Sequence, residues 1–216
     1  MERGIIDSDP RHIARRIRTA MQGNVIRALV ELIINSDDSY IRLDSEGLQC
    51  KGVIEVLYRK EGRSGIFAVR DYAEGMSIDE VRKSFKKYGA ATSGMSEGKK
   101  VRGYFGQGAK DALAGMIDGR VCTFKGDKFV ECRLFMEKGN PMYEIDDPLE
   151  ASQELRSAHK VPANGTVAYF KADPNEGIRV PQVGTVQEEL ANNHLLRKIM
   201  MNRNRKVFLE TLTKPS

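Results

Sequence analysis

Between residues 24 and 44 apolar side chains recur every three or four positions, with Val25, Ala28, Leu29, Leu32, Ile33 and Ile41 on one stripe. That spacing predicts a long amphipathic helix, and Asn24 suits its N-cap. A shorter basic segment, 9–21, also reads as helical. The pattern then changes. Residues 52–59 and 65–70 are strand-like runs on either side of the turn-rich Glu61-Gly62-Arg63-Ser64. Ser77 followed by Glu80 has the form of a capping box and marks a helix start. A helix is expected from near Gly106 or Gly108 to Met116. Strands are expected at about 119–125, 128–136 and 165–171, the last directly after Asn164-Gly165. A closing helix is expected over 184–202, with Val186, Leu190, Leu195, Leu196 and Ile199 facing inward, and the tail 205–213 reads as one more strand. Helices and strands alternate irregularly, and adjacent strands are hairpin-like. The predicted class is therefore α/β (α+β), a two-layer sandwich with a mixed β-sheet and helices on one face.

Residues 87–110 break the pattern. Gly89, Gly94, Gly98, Gly103, Gly106 and Gly108 fall there, with small residues between them. A loop of this length inside a compact domain commonly has a functional role.

Within the long predicted helix, Glu31, Asn35 and Asp38 interrupt the apolar run at spacings of four and three, which place them on one face. Burying two carboxylates and an amide together is costly unless something satisfies them. A hydrated divalent cation and a nucleotide would do so, because an amide oxygen is a hard ligand suited to Mg²⁺ and a neighbouring carboxylate can act as a general base. The same spacing is also that of a solvated helix face. Asp71 ends an apolar strand and is followed by Ala73, Gly75 and Met76. A carboxylate there can accept from an exocyclic amine, the small residues admit a flat ring, and Met76 gives it a soft wall. A plain Asp-initiated turn would look alike. Gly103-Tyr104-Phe105-Gly106-Gln107-Gly108-Ala109-Lys110 leads into a helix, where backbone N–H groups and the helix dipole favour an anion. Lys110 adds a positive charge in that first turn. Neither the P-loop nor the G-x-G-x-x-G pattern is present. Thr166 starts a strand where its hydroxyl could join a water-mediated contact.

In chain order these features read E-x-x-x-N-S-x-D, D-x-A-x-G-M, G-x-F-G-x-G and Gly-Thr, over about residues 20–172. The order resembles the Bergerat-fold GHKL ATPase superfamily, the group of DNA gyrase, the ninety-kilodalton heat-shock chaperones, histidine kinases and MutL. ELIINSDDS is similar to the chaperone version, and GYFGQGAK also resembles the MORC-type branch. The resemblance implies ATP and Mg²⁺ as ligands, bound beneath a mobile lid at about 87–105. It implies Glu31 as general base, Asn35 as metal ligand, and Asp71 as the reader of the adenine amino group. Asp38 and Thr166 would complete the polar network, and Ala73, Gly75 and Met76 would border the base. Gly103, Phe105, Gly106, Gln107, Gly108, Ala109 and Lys110 would hold the phosphates. Ala73 stands where the family commonly has glycine, and Ser39 where alanine is usual. The lysine that related ATPases take from a following domain has no candidate here.

The implied organisation is an N-terminal arm, 1–20, and an ATPase domain, 21–216, forming the N-terminal part of a longer protein. The implied activity is ATP hydrolysis coupled to lid closure and to pairing of two copies, with a downstream domain as a further partner. A nucleotide-gated binding module with little turnover is the alternative. Histidine-kinase-type phosphotransfer fits less well, because Glu31 is present and His12 lies on a short arm.

Bulk properties change this picture little. In 216 residues, 40% are hydrophobic and 30% charged, which is an ordinary globular composition with length for one domain. A formal charge of +5 permits nucleic-acid contact without arguing for it, and the basic run Arg203-Asn204-Arg205-Lys206 reads as a solvated face. Cys50, Cys122 and Cys132 form no C-x-x-C pair and point to a reducing compartment. His12, His159 and His194 have no metal-binding spacing. No stretch reaches the apolar length of a membrane span, so a cytoplasmic protein is expected.

Overall fold

The computed structural model describes residues 1–5, 24–48, 51–86, 107–138 and 140–212. The expected helix 9–21 and most of the glycine-rich segment lie outside them. The long amphipathic stretch forms α1 (Val25–Ser45), and the Asn24 side chain caps it by accepting from the Arg27 N–H at 3.1 Å. Its core stripe is as read with one exchange. Tyr40 is buried, whereas Ile41 lies at the surface.

The expected hairpin forms as β2 (Gly52–Glu61) and β3 (Ser64–Asp71), paired in register from Ile54–Asp71 to Glu61–Ser64. Helix α2 (Ile78–Phe85) starts at the capping box formed by Ser77 and Glu80. Helix α3 (Gln107–Ala114) leads into β4 (Ile117–Lys125) and β5 (Lys128–Glu137), and β8 (Gly165–Ala172) follows later. Four elements lacked a sequence signal: β1 (Glu2–Ile5), inside the segment read as an arm, β6 (Asn140–Ile145), the two-residue β7 (Leu149–Glu150) and α4 (Gln153–His159).

The expected single helix over 184–202 is two pieces, α5 (Val183–Ala191) and α6 (Arg197–Met200). Asn192 caps α5, and the Asn193 carboxamide accepts from the Leu195 N–H at 3.0 Å, which bends the chain away from the helical path. Leu195 is consequently exposed rather than core, while Leu196 is fully buried. The last strand, β9 (Arg205–Thr211), forms as expected.

The strands make one sheet in the order β1-β6-β5-β4-β8-β3-β2-β9, with β7 on β5. Every pair is antiparallel except β2–β9, so the sheet is mixed. Helices α1 and α3 cover one face, where Leu29, Leu32 and Ile33 meet Val56, Phe67, Val69 and Phe170. Tyr58, Phe67 and Phe170 stack in a row, with centroids 4.7 and 5.4 Å apart. This is the α+β two-layer arrangement. On the opposite face a smaller cluster of Leu57, Cys122, Phe124, Phe129 and Val167 is capped by Leu155 of α4. Cys122 and Cys132 are free and buried, and burial pushes both thiols well above the usual range. Among the described residues no helix is long and apolar enough to cross a membrane.

Candidate nucleotide site

Antiparallel register brings three polar side chains into a row on the helix-covered face. Asp71 of β3 pairs with Thr166 of β8, and Thr166 pairs with Thr123 of β4. The two threonine hydroxyls are 3.2 Å apart. Helix α1 crosses above this row, and the Ser36 hydroxyl donates to Asp71 Oδ2 at 3.0 Å. Leu32, Asn35, Ser36, Ser39, Val69, Asp71, Met76, Thr166 and Ala168 thus enclose a small pocket, apolar on its walls and polar on its floor. The free volume it leaves is about 10 Å³, room for about one water.

The turn after β3 closes one side. The Ala73 N–H donates to Asp71 Oδ1 at 3.1 Å, and the Met76 N–H donates to the Thr123 hydroxyl at 2.8 Å. Arg42 of α1 pairs with Glu74 and ties the turn to the helix. Gly75 has φ +64°, and a Cβ there would lie 1.9 Å from the Phe124 carbonyl oxygen. Only glycine fits that position.

Burial raises the Asp71 carboxyl to about 6. The Ala73 N–H, the Ser36 hydroxyl, the Thr166 N–H and the Arg42 charge oppose that rise without cancelling it. A carboxylate held this way retains an unusually strong demand for a donor.

Asn35 turns its Nδ2 onto the Glu31 backbone carbonyl at 2.6 Å. Glu31 lies one turn earlier, and its carboxylate abuts α3 at Gly108. A Cβ on that glycine would lie 2.0 Å from Glu31 Oε2. Asp38 is buried on α1 but does not line the pocket; Ser36 and Ser39 do.

Ala109 and Lys110 are buried against the sheet. Burial lowers the Lys110 ammonium to about 8, and Cys132 of β5 is the neighbouring group in its field. Lys110 is therefore packed within the helix–sheet layer, apart from the residues that line the pocket around Asp71. Gly103, Phe105, Gly106 and the rest of the expected lid lie outside the described residues, and Gln107 opens α3.

Three contributors were not singled out from sequence. Ser36 stood inside the polar stretch and is one residue from Asn35, so it was within reach. Thr123 and Tyr40 had no local signal, because their partners are set by sheet register and helix placement. Tyr40 lies behind the pocket, where its hydroxyl donates to the Val53 carbonyl at 2.8 Å and accepts from the Tyr72 N–H at 2.9 Å.

Among the described residues no three His, Cys, Asp or Glu side chains converge as a metal cluster. Comparison with protein-family models and with curated proteins gave no match.

Proposed function

We propose that this chain binds ATP with Mg²⁺ and hydrolyses it, in the manner of the GHKL ATPases its motifs resemble. The observation that carries the reading is the buried Asp71 carboxylate at the floor of an apolar-walled pocket, held by Ser36, Ala73 and Thr166. An exocyclic amine is the donor such a carboxylate would select. Leu32, Val69, Met76 and Ala168 offer the apolar contact that a purine ring requires.

Asn35 would meet the metal through its amide oxygen, since its Nδ2 is held by the helix backbone. A bound Mg²⁺ would supply neutralisation of the phosphate charge. Glu31, one turn away and against the start of α3, would accept the proton of the attacking water. The first turn of α3, at Gln107 and Gly108, would offer backbone N–H groups to the phosphates. Binding would favour lid closure over 87–105 and pairing of two copies. The buried free thiols of Cys122 and Cys132 suit a cytoplasmic setting.

Titration calorimetry with Mg-ATP, Mg-GTP and pyrophosphate tests the reading. ATP is expected to bind more tightly than GTP, which presents a carbonyl where adenine has its amine. Equal affinity for the two, or heat from neither, would overturn it.

A further inference from the structure

Arg205, read from sequence as part of a solvated basic run, is the most completely enclosed charged side chain of the ion pairs described in this fold. Its side chain has 0% exposure. Nε donates to Asp37 at 2.9 Å, Nη2 pairs with Asp44, and Nη1 donates to the Asn204 carbonyl at 3.2 Å. Its guanidinium carbon lies 5.0 Å from the centroid of the Tyr40 ring. Asp37, Tyr40 and Asp44 stand at i, i+3 and i+7, one face of α1. A Cβ on Gly52 would lie 2.8 Å from both Arg205 Cδ and Tyr40 Cδ2, so the packing leaves no slack.

The Tyr40 hydroxyl is saturated. It donates to the Val53 carbonyl and accepts from the Val53 N–H at 3.2 Å and the Tyr72 N–H at 2.9 Å. Tyr72 is the residue directly after Asp71. The chain therefore leaves β3 with its first amide held by a side chain of α1. The direction in which the turn through Ala73 and Gly75 delivers Met76 to the pocket follows from where that hydroxyl sits.

We propose that Arg205 and Tyr40 are positioning residues for the adenine side of the pocket: Arg205 fixes the Tyr40 ring, and Tyr40 fixes the turn after Asp71. The inference rests on the ATP reading for its functional consequence, and on geometry alone for its mechanical part. Strand β9 thereby sets the shape of a subsite whose lining residues all lie on other elements.

Tyr40→Phe keeps the ring and removes only the hydroxyl. Arg205→Lys keeps the charge and removes the fork. Amide hydrogen exchange of residues 72–76 in the nucleotide-free full chain reads the mechanical part. Calorimetry with ATP and with pyrophosphate reads the consequence. Tyr40→Phe is expected to lower protection of the Tyr72 and Ala73 amides and to weaken ATP about tenfold, the scale of one lost buried hydrogen bond. Pyrophosphate affinity is expected to stay unchanged. Arg205→Lys is expected to shift both readouts in the same direction. Unchanged protection at 72–76 in folded variants would overturn the proposal, as would equal losses for ATP and pyrophosphate. If the wild-type chain binds no adenine nucleotide and the variants still loosen 72–76, the positioning role stands and the ATP reading falls. If wild type binds ATP and neither variant changes it, the reverse holds.

Discussion

The carboxylate of Glu31 occupies the space that a side chain at position 108 would need. A methyl group on Gly108 would lie 2.0 Å from Oε2 and 2.4 Å from Cδ. Two elements far apart in sequence, α1 and α3, are thus fitted to one another at the residue expected to activate water. Gly108 lies in the first turn of α3.

Gly108→Ala is expected to push the Glu31 carboxylate aside while leaving the apolar contacts of α3 in place. Hydrolysis should fall by at least about tenfold, with a smaller loss of ATP affinity, because a displaced base costs the chemical step more than binding. Glu31→Ala should retain ATP binding and abolish turnover. Steady-state phosphate release beside calorimetry measures both, and unchanged hydrolysis in Glu31→Ala would remove it as the base.

The raised carboxyl of Asp71 gives a pH signature. The ionised form is the acceptor for an amine, so ATP affinity should weaken as pH falls below about 6, approaching about tenfold per pH unit. Pyrophosphate affinity should lack that inflection. For folding the sign is opposite. A carboxyl whose folded value lies above its unfolded 3.8 contributes stability at low pH and loses it as pH rises through about 6. At pH 7 the wild-type fold therefore carries a desolvation penalty that Asn lacks. Asp71→Asn is expected to raise unliganded stability by on the order of 1–2 kcal/mol while weakening ATP more than pyrophosphate. Denaturant titration at pH 7 checks the first half, and a destabilised variant would contradict it.

Lys110 offers a comparable test within the helix–sheet layer. Its folded value near 8 lies below the unfolded 10.5, so burial of the ammonium opposes folding below pH 8, and the opposition fades as pH rises toward 10.5. Lys110→Met should flatten that part of the stability–pH curve. The gap between wild type and variant should narrow by about 1–3 kcal/mol between pH 8 and 10. A parallel pair of curves would show that the ammonium is not the cause.

Gly75→Ala combines a left-handed backbone with a contact that cannot exist, 1.9 Å from the Phe124 oxygen. The turn must move away from β4, breaking the Met76 to Thr123 bond. A loss of about 2–4 kcal/mol is expected in thermal or denaturant unfolding, with weaker ATP binding in whatever remains folded.

Local chemistry made much of this legible. The stripe of α1, its Asn24 cap, the β2–β3 hairpin and the Ser77–Glu80 box are each written in contiguous residues, and each forms as read except that Tyr40 takes the buried place expected for Ile41. Asp71 was legible as a carboxylate at a strand end. Its partners were only half so, because Ser36 and Thr166 reach it through tertiary placement. The break at 192–196 escaped because apolar spacing continues through it. The competing signal was the Asn192-Asn193 pair, where the Asn193 side chain takes the Leu195 N–H from the helix backbone. Arg205 escaped for a more general reason. A guanidinium in a basic run looks solvated until two carboxylates 161 and 168 residues away are seen to enclose it.

The parallel joining of β9 to β2 has a temporal consequence. Residue 52 meets residue 205, far along the chain, in the only parallel pairing among the described strands, and no hairpin can nucleate it. A nascent polypeptide still lacking β9 leaves β2 as a raw border and Asp37 and Asp44 without Arg205. Maturation of the α1 scaffold thus waits for β9 to leave the ribosome, and synthesis interrupted before it would yield a sheet that is mostly built but not locked.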